Sequence, residues 1–409
     1  MSGHTRGARA LIPLYVASAV LTLGEGSFNL LVPPYMKSQH VAEVVIGAAV
    51  SIYGVTSLLS RLPTGALYRS HRAWTLVAFG CLLSSLAFVL ISQTSNAVLL
   101  TAWVALDGIG FAVATTANMA ALIERRPPEM NAGVVMGWYT GSLGAGYALA
   151  GFVGGPLGDA LGPGRAMFVL ALVPIAAGLL LSRTILATAP ARSERPVQDA
   201  RRSWLHSFRG LPALVWLAFF VTLYINLVSG VVLTFFPIYG LAIGLTLTQI
   251  GVLQGIHGAT AAAVRFLSGI FFRWVSYEKT LPLMVIASGI SVAAIGGVEM
   301  FIVLAVAWGA LGLTRGLLRV ASAALVMDSA GEADEKHGAA SGVYLAGLDL
   351  GKVLGPLVGG IGADTVGLKT TFLVASAGFP AVYFALSAAF GRRSARRSPR
   401  VVGASARDG

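Results

Sequence analysis

Long apolar stretches recur along the whole chain and constrain its fold more than any other feature. Each is close to the roughly 20 residues that a helix needs to cross the hydrocarbon core of a bilayer. Only 11% of the 409 residues are charged, against roughly 25% in an ordinary soluble domain. The sequence therefore predicts an all-α membrane protein with twelve transmembrane helices. The predicted spans are 11–36, 42–68, 74–94, 98–123, 133–158, 166–182, 212–238, 247–272, 281–298, 300–327, 338–362 and 370–390.

The positive charges lie mainly on one side of these spans. With the N-terminus placed in the cytoplasm, 21 of the 29 Lys and Arg residues are cytoplasmic, five lie within spans, and three (Lys37, Arg165 and Lys369) are outside. This asymmetry follows the positive-inside rule and predicts cytoplasmic N- and C-termini. We expect a multi-pass protein of the bacterial inner membrane. The basic tail at 392–409 then indicates an anchor beside anionic lipid, and no nucleic-acid partner is expected.

The two halves of the chain repeat one pattern at an offset of 204 residues. Aligned identical pairs include Pro33 and Pro237, Gly47 and Gly251, and Arg61 and Arg265. Six spans lie on either side of a polar segment at 187–211, so both halves begin on the same side of the membrane, as in parallel-repeat secondary transporters. We therefore predict an N-terminal six-helix bundle at 1–186, a cytoplasmic linker, a C-terminal bundle at 212–391 and a basic cytoplasmic tail.

A shared motif ends the second span of each half: "RLPTGALYR" begins at Arg61 and "RFLSGIFFR" begins at Arg265. With the six-plus-six spans and the basic middle loop, it resembles the major facilitator superfamily, whose pattern there is R-x-x-x-G-x-L-x-D-R. The resemblance implies two pseudosymmetric bundles that alternate access to a central site. Both halves have arginine at the acidic position, so we predict that Glu124 contacts Arg69 and supplies the negative charge. The predicted gate residues are Arg61, Gly65, Arg69, Glu124, Arg265, Gly269, Arg273 and Asp328.

"GKVLGPLVGG" at 351–360 places glycine and proline inside a predicted span. It matches G-x-x-x-G-P-x-x-G-G, which in the resembling superfamily marks span 5 of antiporters and implies export. Here the full form lies in span 11, and span 5 has the variant "GFVGGPLGD", with Asp159 at a glycine position when the Gly-Pro pairs are aligned. The predicted seam residues are Gly151, Gly155, Pro156, Gly351, Lys352, Gly355 and Pro356.

Small residues also form a stripe on each of these two spans, because they recur every four residues. The stripes are Gly146, Ala150, Gly154 and Gly158 in span 5, and Gly347, Gly351, Gly355 and Gly359 in span 11. Small residues let helix backbones approach closely in a membrane. The stripes therefore predict either tight static packing or a packed seam that also slides during transport.

Charged residues avoid spans 3, 6, 9 and 12. Because a charge in hydrocarbon costs at least about 2.5 kcal/mol, the charge-free spans are predicted to face lipid and the charged spans a central cavity. In the resembling superfamily the same four helices form the outer set.

Glu25, near the middle of span 1, is the leading candidate for a proton carrier. Loss of water favours the neutral form of a carboxyl group, so such a group can bind and release a proton as its exposure changes. Asn29 lies one turn further along and is predicted to hydrogen-bond to Glu25 or to a substrate. The alternatives for Glu25 are an ion pair with an arginine and a solvated position. Asp107 and Asp349 are further candidates for proton coupling.

The predicted substrate cavity contains Asn29, Asn226, Trp308, Arg315 and Arg319. The arginines of span 10 suit a carboxylate or phosphate group, although they equally suit the role of balancing the buried acids. Lys352 is three residues from Asp349, and we predict that the two pair, either throughout or in one conformation only. His257 either titrates or serves as an ordinary hydrogen-bonding residue.

The sequence contains no nucleotide loop, metal-ligand cluster or catalytic triad, so we predict a transporter and not an enzyme. The predicted function is proton-coupled export of a small amphipathic or drug-like molecule, with a proton gradient as energy source and no cofactor. The alternative is an importer or facilitator of a polar or anionic metabolite; lipid flipping and a receptor or scaffold without transport remain open. We expect a monomer in the lipid bilayer whose partner is a small-molecule substrate.

Overall fold

The computed structural model describes residues 2–126, 132–187, 213–271, 277–329 and 334–397. This part of the chain is α-helical apart from turns and one short 3-10 helix, and it contains no strand. The helices are α1 Ser2–Ser38, α2 Glu43–Leu67, α3 Ala73–Ser92, α4 Ala97–Glu124, α5 Ala132–Leu161, α6 Pro163–Leu170, α7 Leu172–Ala187, α8 Ala213–Ala242, α9 Leu247–Phe271, α10 Tyr277–Gly297, α11 Phe301–Ser329, α12 Asp334–Val366 and α13 Leu368–Arg397. Since α6 and α7 together occupy one predicted span, the helices correspond to the twelve spans.

Ten of these helical segments are long and apolar enough to cross a membrane, counting the described residues only. The two remaining helices are α5 and α9, which pack against each other. Their contact surface includes several glycines, among them Gly151, Gly155, Gly251 and Gly258. The linker at 188–212 and the tail at 398–409 lie outside the described residues, and α13 continues past the predicted bundle end at 391.

Left-handed turns occur at matching places in the two halves. His40, between α1 and α2, has φ 59°, and Gly244, between α8 and α9, has φ 88°. Gly162 and Gly367, which precede the last span of each half, have φ 80° and 82°. Only glycine adopts this backbone region without a steric cost. The first pair keeps the offset of 204 and the second requires 205, so the backbone repeats with one added residue in the second half.

The end of the molecule that contains these turns is called the outer end here, and the end where α1 begins and α13 finishes is the terminal end. A buried apolar cluster at the outer end continues from the first half into the second, including Phe28, Ile46 and Phe236. A separate cluster, including Leu14 and Leu181, lies at the terminal end within the first half alone. The apolar core therefore joins the halves at the outer end.

Spans 3, 6, 9 and 12 expose large apolar side chains. Examples on α3, α7, α10 and α13 are Phe79, Leu179, Ile290 and Val374, each more than half exposed. In a helix bundle within lipid, such side chains contact acyl chains. Their exposure agrees with the prediction that spans 3, 6, 9 and 12 form the outer surface.

Candidate functional site

Two glycines form the closest contact between the halves. Gly151 in α5 faces Gly251 in α9, and a Cβ atom on either residue would strike the backbone carbonyl oxygen of the other. One turn further out, a Cβ on Gly155 would lie 2.6 Å from the carbonyl oxygen of Leu247 and 2.9 Å from the Cα of Thr248. The backbones of α5 and α9 therefore meet directly, and no side chain fits between them.

The pseudosymmetric contact joins α2 to α12. A Cβ on Gly47 would strike the carbonyl oxygen of Pro356, and a Cβ on Gly360 would lie 2.6 Å from the carbonyl oxygen of Glu43. The Ser51 hydroxyl also donates to the carbonyl of Val353 at 2.6 Å. The halves thus touch through these two helix pairs, each combining one helix of either half, and α1 also contacts α8.

An aspartate completes each of these helix pairs at the outer end. Asp159 of α5 accepts hydrogen bonds from the backbone N–H groups of Leu247 (2.9 Å) and Thr248 (2.8 Å). Asp364 of α12 accepts from the backbone N–H groups of Glu43 (3.1 Å) and Val44 (3.3 Å). Each carboxylate therefore caps the N-terminus of a helix in the other half, where the helix dipole favours negative charge.

These contacts correct the predicted register of the glycine-proline segments. Asp159 corresponds to Asp364, so the alignment of the two Gly-Pro pairs, which placed Asp159 at a glycine position of span 11, was wrong. In the observed register Pro356 matches Gly151, and Pro156 is an exposed residue. Packing partners decide the register, because a shift of several residues would turn each aspartate away from the helix terminus that it caps.

The glycine stripes pack inside their own halves. A Cβ on Gly146 would strike Thr22 and Ala19 of α1, and one on Gly351 would strike the carbonyl of Leu223 in α8. Gly355 faces Leu227 of α8 in the same way. The stripes therefore provide packing within each half, and a second small-residue face, including Gly151, Gly155 and Pro356, forms the surface between the halves.

The space between the halves is open toward the terminal end. The inter-half contacts given above all lie in the outer half of their helices, and a Cβ on Gly65 of α2 or Gly137 of α5 would have no atom within 4 Å. Arg61 and Arg69, near the terminal end of α2, are exposed. This conformation is therefore closed at the outer end and open at the terminal end.

Glu124 makes different contacts from those predicted. Its Oε2 atom accepts hydrogen bonds from the hydroxyl groups of Tyr68 (2.8 Å) and Ser70 (2.9 Å) and lies 3.2 Å from Nη1 of Arg125. Arg69 instead donates to the carbonyls of Ala66 and Tyr68. The predicted contact between Arg69 and Glu124 was therefore wrong in this conformation, because the Arg69 side chain folds back onto the end of its own helix.

The predicted gate residues of the second half lie mostly outside the described side chains. Arg265, Gly269 and Asp328 lie within helices α9 and α11, but their side-chain surroundings are outside the described set, and Arg273 falls outside the described residues. Their gating role stays a prediction.

A pair of buried carboxyl groups lies at mid-depth in the first half. Glu25 of α1 and Asp107 of α4 are 2% and 0% exposed, and their side chains neighbour each other and that of Tyr53 of α2. The Asn29 amide donates to Oε1 of Glu25 at 3.0 Å, as its spacing predicted. Among the described side chains, no basic group lies within 4.0 Å of either carboxyl.

Both carboxyl oxygens of Asp107 are buried and accept no hydrogen bond within the described part of the protein. Its neighbour Glu25 is also an acceptor when ionised, and the hydroxyl groups of Tyr53 and Ser84 lie beside the pair as donors. A proton on either carboxyl would add a donor between the two acids. Glu25 thus makes no ion pair among the described side chains, and its role as a proton carrier stays a prediction.

A basic cluster occupies the corresponding depth of the second half. Arg315 of α11 lies 3.1 Å from Nε2 of His257 and 3.5 Å from Oδ1 of Asn226. His257 stacks edge-on against Trp308, with ring centroids 5.6 Å apart. Asn226 and Trp308 are 2% and 0% exposed, so these two predicted cavity residues do not line the open space in this conformation. Asn226 contacts Arg315, and Trp308 contacts His257.

Lys352 and Asp349 pair on α12, as their spacing predicted, with 3.8 Å between Nζ and Oδ1. Their side chains are 54% and 41% exposed. Exposed pairs at this distance contribute about 0–1 kcal/mol. The pair therefore faces the open space and does not form a buried, neutralised unit, and nothing places Asp349 with the carboxyl pair of the first half.

Sequence reasoning missed two kinds of residue. Tyr53 was not singled out, yet it joins the carboxyl pair; its alignment with His257 at the offset of 204 was the available signal. Asp364, two residues before the end of α12, was not singled out. The offset of 205 residues pairs it with Asp159, so the sequence contained a signal for it.

These features define a class of protein: a membrane transporter whose two helical halves enclose a polar space at mid-depth and close it at one end. The Major Facilitator Superfamily profile matches residues 14–332, and the chain belongs to that superfamily. No significant match was found among curated protein sequences.

Two solved transporters illustrate the shared fold. The nucleoside transporter NupG, as its D323A mutant, superposes with a TM-score of 0.76 at 16% identity, covering 93% of this chain and 99% of the other. A bacterial homolog of the human lysosomal transporter Spinster, in an inward-facing and unoccupied conformation, gives a TM-score of 0.73 at 14% identity, covering 95% and 97%. At these identities the likeness concerns the fold.

Proposed function

We propose that this protein is a proton-coupled secondary transporter that exports a small amphipathic organic molecule by alternating access. The observation that carries the proposal is the pair formed by Glu25 and Asp107, two buried carboxyl groups with no basic partner among the described side chains. Two adjacent carboxylates in an apolar site repel each other and both lose hydration. Such a pair is a site for a transferable proton.

Access to this pair runs through Asn29. Its side chain is exposed to the space between the halves, while its amide donates to Glu25. Water in that space therefore lies one hydrogen bond away from the carboxyl pair. In alternating access, the space opens to one side of the membrane at a time, so the pair would exchange its proton with each side in turn.

The glycine contacts provide the conformational change. Direct backbone contact between Gly151 and Gly251 closes the outer end without interlocking side chains, so the helices can separate with little rearrangement. Opening the outer end would release both aspartate caps, and approach of the exposed terminal ends would close the other side. The antiporter-like pattern at 351–360 supports export as the direction.

Uptake or facilitated transport of a polar or anionic metabolite is the second candidate. The half-exposed Lys352 and the partly exposed Arg319 favour it, because an aromatic and aliphatic lining would suit a drug-like molecule better. The carboxyl pair supports proton coupling under either candidate.

We also propose that the protein is a monomer of the bacterial inner membrane with both termini in the cytoplasm. The distribution of Lys and Arg supports this orientation. The terminal end, which is open in this conformation, would then face the cytoplasm.

Everted membrane vesicles provide the test. Collapse of a pre-formed pH gradient would be recorded on addition of each compound of a panel, for the wild type, Glu25→Gln and Asp107→Asn. The matched control is Glu299→Gln, which makes the same change at an exposed acid in the turn between α10 and α11.

Proton movement should be lost in Glu25→Gln and reduced in Asp107→Asn, while Glu299→Gln behaves as the wild type. Exchange of a labelled substrate across the membrane without a gradient should persist in Glu25→Gln, because exchange needs no proton turnover. Unchanged gradient collapse in both site variants would remove the carboxyl pair from the mechanism. Accumulation of substrate with no effect on the gradient would favour the second candidate.

A further inference from the structure

We propose that Lys352, Arg319 and Arg61 form a binding site for the anionic group of the substrate. This inference rests on the proposed transport function and adds the substrate's chemical class. The three side chains belong to α12, α11 and α2, and Arg319 and Arg61 lie within electrostatic range of Lys352.

The position of Lys352 on α12 points it into that space. Gly351 and Gly355 face α8, and Val353 faces α2, while Leu350 and Ile361 are exposed on the outer surface. At 100° per residue, Lys352 lies between the side of α12 that faces α8 and the side that faces α2. It lies opposite the lipid-facing side that contains Leu350 and Ile361. Its side chain is 54% exposed, so this exposure is to the internal space and not to lipid.

Positive charge is in excess around Lys352. The charged side chains that act on it most strongly are Arg319, Asp349, Arg61 and Arg315, in that order. Three of these four are arginines. The only acid among them is half exposed and 3.8 Å away, and a pair of that kind is weakly held.

The buried acids of the first half do not remove this excess. The acids Glu25 and Asp107 face each other in the first half, with no basic group within 4.0 Å among the described side chains. Like charges held near one another are a cost to the empty protein, and an anion between them would offset that cost.

Arg61 connects this charge to an aromatic surface of the first half. It lies within electrostatic range of Tyr139 and Tyr147 of α5, and Tyr147 is 42% exposed. Tyr139 is buried at 4% exposure, so an anion placed between Arg61 and Lys352 would have the Tyr147 ring beside its body. A carboxylate, sulfonate or phosphate group attached to an apolar or aromatic body is the class that fits both features.

A binding experiment tests the inference directly. The full-length protein in phosphatidylcholine nanodiscs would be titrated with naphthalene-2-carboxylate and with its neutral counterpart naphthalene-2-carboxamide, by calorimetry and by the shift in Tm. The variants are Lys352→Gln, Arg319→Gln and the charge-preserving Lys352→Arg. Lys369→Gln, which removes an exposed lysine near the start of α13, is the matched control.

The carboxylate should bind the wild type and raise its Tm, and the carboxamide should bind at least about tenfold more weakly, since a hydrogen bond to a charged group contributes about 1.5–3 kcal/mol. Lys352→Gln and Arg319→Gln should each weaken carboxylate binding by about tenfold or more. Lys352→Arg and Lys369→Gln should bind it nearly as the wild type does. Equal affinity for the two probes, or equal carboxylate binding in wild type and Lys352→Gln, would overturn the proposal.

A second arm identifies the source of the anion. Nanodiscs that contain phosphatidylglycerol would compete with the free carboxylate if a lipid headgroup occupies the same site, and would leave its affinity unchanged if the ligand is a free molecule. Because binding needs no gradient, anion binding without gradient collapse would keep this inference and reject the proposed proton coupling. Proton-coupled transport of a neutral or cationic compound, with no binding of the carboxylate, would keep the proposed proton coupling and reject the anion site.

Discussion

The carboxylate of Asp159 in α5 holds Thr248 in α9 by two hydrogen bonds, from the backbone N–H at 2.8 Å and from the hydroxyl group at 2.5 Å. The two residues belong to different halves of the protein. With the equivalent cap of α2 by Asp364, this relationship closes the outer end at both helix pairs. At each helix pair, the outer end is held closed by a helix N-terminus of one half and a carboxylate of the other half.

Removal of either cap should favour the outward-open conformation. A lost N-cap costs about 1 kcal/mol, so Asp159→Ala or Asp364→Ala should shift the equilibrium roughly fivefold, and the double variant by about the product. Asp159→Asn should have a smaller effect than Asp159→Ala, because its amide oxygen can still accept from one of the two N–H groups. The measurement is labelling of a cysteine introduced near Thr246 in a Cys81→Ser background; unchanged labelling in the double variant would contradict the capping role.

The outer closure should weaken in acid. Partial burial by itself raises the pKa of Asp159, but the hydrogen bonds from Thr248 and Leu247 outweigh that effect and hold the pKa below its usual value, which is about 4. Protonation therefore favours the open state: the stabilisation is complete above about pH 4 and is lost as the pH falls through the lowered pKa. Cysteine labelling at the outer end should increase as the pH falls from about 7 to about 3. In Asp159→Ala, the part of this increase that comes from Asp159 should be absent.

A side chain at the central glycine contact should block closure. In Gly151→Val the added atoms would strike the backbone of Gly251, and such overpacking costs about 1–3 kcal/mol. Transport should fall by roughly tenfold or more while the protein still inserts in the membrane. Gly137→Val in the same helix is the matched control, since a Cβ at Gly137 has no atom within 4 Å. Equal transport by the two variants would argue against direct backbone contact at the outer end.

Glu124 should matter for stability independently of Arg69. The Arg125 side chain is only 4% exposed and pairs with Glu124 at 3.2 Å, and it also donates to the carbonyls of Ala121 and Ile185. Glu124→Ala removes one charged partner of this buried cation and the acceptor of the Tyr68 hydroxyl, so it should cost about 1–3 kcal/mol. Arg69→Gln should be nearly neutral, because its partners are two carbonyls at an exposed position. Thermal unfolding in detergent measures both. Rescue of Arg69→Glu by Glu124→Arg would show that a conformation with the originally predicted contact exists.

Short-range relationships were predictable from the sequence. Glu25 with Asn29, and Asp349 with Lys352, are one helical turn apart, and helix geometry alone brings such residues together. The twelve apolar stretches and the offset of 204 likewise gave the helices and their repetition. Contacts between helices were harder to predict. The motif comparison that paired Arg69 with Glu124 could not show that the Arg69 side chain folds back onto the end of α2.

What the sequence alone determined is therefore the set of membrane-spanning helices, their duplication and the polar groups that each one places at mid-depth, because length, hydropathy and helical period are local properties. Only the tertiary structure decided which small-residue face of α5 and α12 joins the halves, that Asp159 corresponds to Asp364, and that Trp308 is buried. The physical reason is that several faces of one helix satisfy the same spacing rules. Simultaneous packing against neighbours from both halves selects one of them.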